Sequence, residues 1–445
     1  MSDRPSGVDG EGWRRLDAPG GAATRVRGDA PQRVAFLRMA PHPIPNRLLP
    51  PQLEAALPGH RVEVLDVGAA VRRDPLTWLV NPLYMLAEHG PGLIARRISL
   101  RQSFTTTTWM FRRMSRAARR FVERGDWAFS FQIQSLFDGR AEGVPHFVYT
   151  DHTHLTNLDY PDFDRRTLRG ERWLALERAL YAGATRVFTR SGNVSRTLHE
   201  RYGRPERQVV CVGAGSNAKL PEERAPADGD DDVRILFVGV DWKRKGGPDL
   251  VDAFRRVRAR HPEARLRIVG ASPDLDEPGV EVVGRCPVEA VHTHYAAASI
   301  FCLPSHREPF GVAYVEALHH GLPVVGTRIG AVPELVEDGA VGFLVEVGDV
   351  DALADRLERL VGDAVLRRRM GERARARARE RHTWAAVAAR MVEAIGSALG
   401  GSGPRARSGA SAESDGRSIR GGDAAAPAPG ARPGRLIAGG GSAGP

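Results

Sequence analysis

The sequence predicts an α/β protein built from two doubly wound parallel-sheet domains. Three observations lead there. Short continuous apolar runs alternate with stretches of helical length, as buried parallel strands and their crossover helices do. The same strand, helix, strand order restarts past the middle of the chain. And 445 residues exceed what one hydrophobic core usually serves.

Taken in order, residues 1–32 are polar and rich in Gly, Asp and Arg, with no apolar core of a signal peptide, and read as disordered. Arg33 to Met39 reads as the first buried strand, Leu48 to Leu57 as a helix and Val62 to Val67 as the next strand. The apolar stretch Trp78 to Met85 is followed too soon by Glu88, His89 and Arg96 to span a membrane. Trp109 to Phe121 sets Phe111, Met114, Ala118 and Phe121 at helical spacing among five arginines. It reads either as a surface helix packing one apolar face or as a membrane-interface or acceptor-binding helix. Ala128 to Gln132 and His146 to Thr150 are further strands. The second leads into Asp151-His152-Thr153-His154, where ligands of open α/β sheets sit. Arg186 to Thr189 is a strand, Ser191 opens a helix ending before Gly203, and Val209 to Val212 closes a first domain over residues 33–217. The polar, acidic segment 218–232 reads as a linker around which a cleft hinges.

The second domain, 233–382, repeats the pattern with strands at Ile235 to Val238, Leu266 to Val269, Val280 to Val283, Ile300 to Leu303 and Pro323 to Gly326, and a helix at Asp249 to Arg260. Asp349 is placed to cap the helix Ala352 to Leu360. The basic run Arg367 to Arg381 is read as lying between helices and has no interleaved aromatics for stacking on bases. A terminal helix, 383–399, carries Trp384, Val387, Met391 and Ile395 on one stripe, and residues 400–445 lack periodicity and read as disordered.

Net charge is +10, which fits nucleic acid, an anionic membrane surface, or a chain in which arginine replaces lysine. Cys211, Cys286 and Cys302 are too scattered for a disulfide framework or a zinc site, so a reducing cytoplasm is the simplest compartment.

The chemistry concentrates in Leu303 to Thr327. Pro304 ends the strand, so Ser305 to Phe310 form a loop at its carboxyl end and Glu308 is a loop carboxylate. Gly311 lets another molecule approach the main chain before Val312 to Leu318 winds into a helix. The unpaired amides at that helix start suit a phosphate, and Glu316 can reach a hydroxyl beside it. This pattern fits a sugar joined to a nucleotide through phosphate. A second loop, Gly239-Val240-Asp241-Trp242-Lys243-Arg244-Lys245-Gly246-Gly247, offers three successive cations to a diphosphate.

Glu308-Pro-Phe-Gly, Glu316 after seven intervening residues, then Ala-Leu-x-x-Gly-Leu-Pro-Val-Val-Gly-Thr and Glu334 before Leu335-Val336 resemble the signature of retaining glycosyltransferases of family 4. The resemblance implies the GT-B fold, two Rossmann-like domains facing each other across a cleft, with acceptor on the first and nucleotide sugar on the second. It implies that Glu308 contacts the sugar ring, that Phe310, Gly311 and Val312 present main-chain amides, and that Glu316 takes ribose hydroxyls. Lys245-Gly246 matches the family's Lys-Gly pair, but Val240 stands where the family commonly has Arg, leaving Arg244 or Lys243 to substitute. A His or Asp of the first domain approaches the donor sugar in that family; Asp151, His152 and His154 all remain candidates. The loop Ala40 to Pro45 lacks the glycine pair often found there, which leaves acceptor binding open.

The expected activity is sugar transfer from a nucleoside diphosphate sugar to a hydroxyl of a glycan or lipid-linked glycan, with retention. It needs no metal and no cofactor beyond the co-substrate, and expects peripheral membrane contact but no nucleic acid. Other readings are a nucleotide-sugar epimerase or phosphorylase on the same architecture, or a non-catalytic basic scaffold on nucleic acid or membrane.

Overall fold

A computed structural model describes residues 13–14, 31–40, 45–217 and 233–400. The expected linker 218–232, the tail beyond Gly400, residues 41–44 of the first loop and most of the amino-terminal segment lie outside the described residues.

The first sheet contains β1 (Trp13–Arg14), β2 (Gln32–Arg38), β3 (His60–Asp66), β4 (Phe129–Ile133), β5 (His146–Thr150), β6 (Arg186–Thr189) and β7 (Val209–Cys211), in the order β1-β3-β2-β4-β5-β6-β7. All neighbours are parallel except β1, which pairs antiparallel with β3 through Trp13 opposite Leu65. The amino-terminal segment, expected to be disordered, thus contributes one short edge strand. Its helices are α1 (Pro45–Ala56), α2 (Val67–Arg72), α3 (Pro75–Ile94), α4 (Leu100–Thr105), α5 (Thr108–Glu123), α6 (Glu171–Gly183) and α7 (Gly192–Tyr202). Ser191 caps α7 by accepting from Val194 N, and Gly203 ends it in the left-handed region at φ 67°.

The second sheet is wholly parallel: β8 (Arg234–Gly239), β9 (Arg265–Gly270), β10 (Val280–Gly284), β11 (Ile300–Leu303), β12 (Val324–Thr327) and β13 (Gly342–Val345) run in the order β10-β9-β8-β11-β12-β13. Around it lie α8 (Gly247–Arg260), α9 (Val288–Ala296), α10 (Val312–His319), α11 (Val332–Leu335), α12 (Val350–Gly362), α13 (Ala364–Arg381) and α14 (Trp384–Ala398). Every residue of β11, β12 and β13 is buried, as unbroken apolar runs between two helix layers require.

Two readings are corrected. The basic run Arg367 to Arg381 does not lie between helices; it is most of α13, capped by Asp363 accepting from Leu366 N at 2.8 Å. Leu366, Met370, Ala374 and Ala378, four residues apart, give α13 a narrow buried stripe, and arginine is a good helix former. The sharper reading of α5 also fails. Met110, Phe111, Met114, Ala118 and Val122 are all buried in the first domain, so its apolar face is spent on the core.

α14 packs along α1 of the first domain, with Trp384, Val387, Met391 and Ile395 buried. Arg186 donates to the Ala394 carbonyl at 2.9 Å and Arg390 to the Val212 carbonyl at 2.7 Å. On another side, Glu334 of α11 accepts from Gly192 N at 2.7 Å and Asn193 N at 3.0 Å, supplying the first amides of α7 with a carboxylate from the facing domain.

Candidate active site

In the second sheet the strand order reverses between β8 and β11, and the loops leaving those two strands open into the crevice this reversal creates. That topology brings Lys245 against Glu308, 63 residues away in sequence; the Lys245 ammonium donates to the Glu308 carboxylate. Ser305 Oγ adds a 3.3 Å hydrogen bond to the same oxygen. The two loops are laced together elsewhere. His306 N donates to the Arg244 carbonyl at 2.9 Å, and His306 Nε2 lies 2.7 Å from Asp249 Oδ2. Gly246, at φ 71°, must be glycine, because a Cβ there would collide with the Pro304 carbonyl.

Gly311 takes φ 97° at the start of α10, and no side chain caps that helix. Its first amides therefore point out beside Glu308, as an anion site does. Phe310 is buried and Val312 half-buried at this turn. Glu316 lies further along α10, half-buried, where Tyr295 Oη donates to it at 3.0 Å. Burial pushes its pKa up to about 7, against the opposing Tyr295 hydrogen bond.

Val240, where the family commonly has arginine, is itself exposed, and the two proposed substitutes stand differently. Arg244 is committed to Asp241 at 3.0 Å and to the Arg307 carbonyl at 2.8 Å, and Lys243 is exposed. Arg307 is a further cation at this loop, one that the sequence reading did not single out. It pairs with Asp162 of the first domain at 3.0 Å, lies 5.9 Å from the ring centroids of Tyr160 and Phe163, and keeps a buried Nε without a partner. Its place directly before Glu308 was the available signal.

On the first domain, Asp151, His152 and His154 sit together on one cavity of about 610 Å³ at the carboxyl ends of β4 and β5, which Arg307 also lines. The structure separates their roles. His154 Nε2 accepts from Arg169 N at 2.8 Å, its ring stands edge-on to Trp173, and burial holds its pKa down at about 3. Asp151 lies 3.5 Å from the Arg190 guanidinium. His152 keeps a buried Nδ1 with no partner, and burial chiefly lowers its pKa, with Asp151 and an Asn157 hydrogen bond opposing. It stacks on Tyr160, whose buried hydroxyl is also unpartnered and lies in the field of Glu308. Tyr160 had no sequence signal, since only the fold sets it between His152 and the facing domain. At the cavity's floor, buried Glu177 accepts from Tyr202 and from Ser135 at 3.2 Å, and burial raises its pKa.

Residues 221–377 match the model of the glycosyl transferases group 1. That match places residues 221–377 in the family. The chain is 30% identical over 286 residues to a D-inositol 3-phosphate glycosyltransferase of Corynebacterium aurimucosum, covering 57% of this chain and 66% of that protein. Alignments with the first curated relatives span 42–66% of their lengths. Among solved structures it is similar to sucrose-phosphate synthase from Thermosynechococcus elongatus, with a TM-score of 0.60 at 19% identity, covering 83% of this chain and 99% of that one. It is also similar to WaaG, a glycosyltransferase involved in lipopolysaccharide biosynthesis, with a TM-score of 0.57 at 14% identity, covering 81% and 99%. These likenesses establish the GT-B fold of two facing Rossmann-like domains.

Proposed function

We propose that the protein transfers a sugar from a nucleoside diphosphate sugar to a hydroxyl of a glycan or lipid-linked glycan, with retained configuration and without a metal ion. The observation that carries this is the Lys245 and Glu308 pair at the switch point, beside the uncapped start of α10, with Tyr160 of the first domain, on which His152 stacks, in the field of Glu308. In this reading the diphosphate lies over the first amides of α10 at Gly311 and Val312, and Lys245 takes the charge that grows as the bond from sugar to phosphate breaks. Glu308 holds sugar hydroxyls, Phe310 closes the turn against them, and Glu316 accepts from the ribose. His152 and Tyr160 offer polar atoms from the opposite side, and the departing phosphate oxygen receives the acceptor's proton.

The acceptor cavity suits a polar ring. Phe163 and Trp173 supply apolar faces among Gln134, Asn157, Thr167 and Arg169. Relatives named for inositol phosphate and for capsular polysaccharide are consistent with a polyhydroxyl acceptor. The test is a thermal-shift screen of nucleoside diphosphates and their sugars, since a ligand of the folded state raises its stability, followed by mass spectrometry of the product with candidate glycans. No shift with any nucleotide would overturn the assignment.

A further inference from the structure

Of the twelve large apolar side chains that lie exposed among the described residues, eight fall between Leu76 and Leu100. Leu76, Leu79, Leu83 and Leu86 follow one another at steps of three and four, which is one stripe of α3, and the stripe faces outward: Leu79 is 72% exposed and Leu83 67%. The inward face is the polar one. Thr77 Oγ1 donates to the Val71 carbonyl at 2.7 Å, and Asn81 Nδ2 to the Phe104 carbonyl at 2.8 Å. Asn81 Oδ1 accepts from Thr107 Oγ1 at 2.5 Å, and His89 Nε2 meets Thr106 Oγ1 at 3.3 Å. An ordinary surface helix is arranged the other way round. Buried, satisfied polar groups fix the rotation of α3, so it cannot turn its leucines inward without orphaning them.

The surroundings of the stripe name its partner. The carboxylate and the imidazole of α3 itself are Glu88, tied to Thr108 N at 2.9 Å, and His89. Near its ends stand exposed Arg72, Arg73, Arg96 and Arg101, and Trp78 of the same helix is 59% exposed, its indole N–H donating to the Arg72 carbonyl at 2.9 Å. An apolar face with a cationic border and a tryptophan complements an anionic bilayer surface. Among the described residues no helix is long and apolar enough to cross a membrane, so the contact lies along the surface. The patch also runs into the acceptor cavity, because Arg97 and Ile98, between Ile94 and α4, and Gln102 of α4 line that cavity.

We propose that the outward face of α3, continued by Ile94 and Leu100, docks on an anionic lipid bilayer and brings the first-domain cavity against it, so that the acceptor is lipid-linked. This rests on the reading of that cavity as the acceptor site. The test is cosedimentation of the full chain with phosphatidylglycerol-containing vesicles and with phosphatidylcholine vesicles. Binding to the first, weak binding to the second and loss with salt are expected. Leu79→Gln with Leu83→Gln should weaken partitioning about tenfold or more, and Arg73→Glu with Arg101→Glu should do so in low salt only. Quenching of tryptophan emission by brominated acyl chains, reduced in Trp78→Phe, reads the same contact without altering the leucines. The proposal falls if the protein ignores anionic vesicles, if the leucine variant binds as well as the parent, or if that variant only converts a dimer to a monomer. Nucleoside diphosphate binding is measured on the same samples. Its absence would overturn the functional reading and leave the vesicle result intact.

Discussion

Lys245→Met tests the centre of the site. The Lys245 side chain is 13% exposed and that of Glu308 6%, so the substitution leaves a carboxylate buried with only the 3.3 Å Ser305 hydroxyl contact. Breaking a buried pair from one side costs about 3–5 kcal/mol. For a domain of this size that lowers the melting midpoint by roughly 10 °C. Adding Glu308→Leu removes the orphaned charge, and replacing both partners with apolar groups of similar volume should restore most of the loss. Nucleoside diphosphate binding should not return, because the cation that meets the phosphate is still missing. Differential scanning fluorimetry reads the first quantity and isothermal calorimetry the second. If Lys245→Met melts with the parent and binds nucleoside diphosphate with unchanged affinity, the pair is not buried as described and Lys245 does not serve the donor.

Further outcomes follow from other contacts. Burial raises the folded Glu316 pKa to about 7 from an ordinary 4.5. Below pH 4.5 both states hold the proton. As pH rises through 7 the unfolded chain has already released it, so this stabilisation disappears, by roughly 2 kcal/mol after allowance for partial exposure. Chemical denaturation of Glu316→Gln against pH should lack that slope, and the variant should raise the donor's KM. Tyr160→Phe removes a buried hydroxyl that has no partner, so thermal melts should be unchanged or raised while kcat falls. His152→Ala should lower kcat about a hundredfold with nucleoside diphosphate affinity intact by calorimetry; wild-type turnover would exclude it from the reaction. Glu334→Ala deletes two charge-assisted bonds to the start of α7, worth about 1.5–3 kcal/mol each, and small-angle scattering should report a more open chain.

Much of this was legible because parallel strands buried on both faces must be continuous apolar runs, and Ile300 to Leu303, His146 to Thr150 and Arg186 to Thr189 emerged with the same bounds in the structure. The donor loops were legible for a related reason: glycine at Gly246 and Gly311 answers local backbone demands, and local demands leave a mark in local sequence. α5 left two readings open because a strong amphipathic pattern says that a face is buried and not against what, and the structure bears out the plain packing helix. The outward stripe of α3 escaped notice. The apolar stretch from Trp78 to Met85 is weighed in the sequence only as a membrane span, and it takes the hydrogen bonds of Thr77 and Asn81 to show which face the interior occupies.

By itself, then, the sequence determined the two-domain α/β architecture, most of the parallel strands and the two loops that carry charge, all of which depend on residues close together in the chain; the edge strands β1 and β13 and the order within each sheet came from the structure. The tertiary structure alone decided that Lys245 meets Glu308, that His154 Nε2 is taken by Arg169 while His152 keeps an unpartnered Nδ1, that Arg307 reaches Asp162 of the first domain, and that Glu334 serves a helix of the other domain. Each is a pairing between distant segments, set by the strand reversal between β8 and β11 and by the closure of one sheet domain on the other, and no periodicity in either segment encodes it.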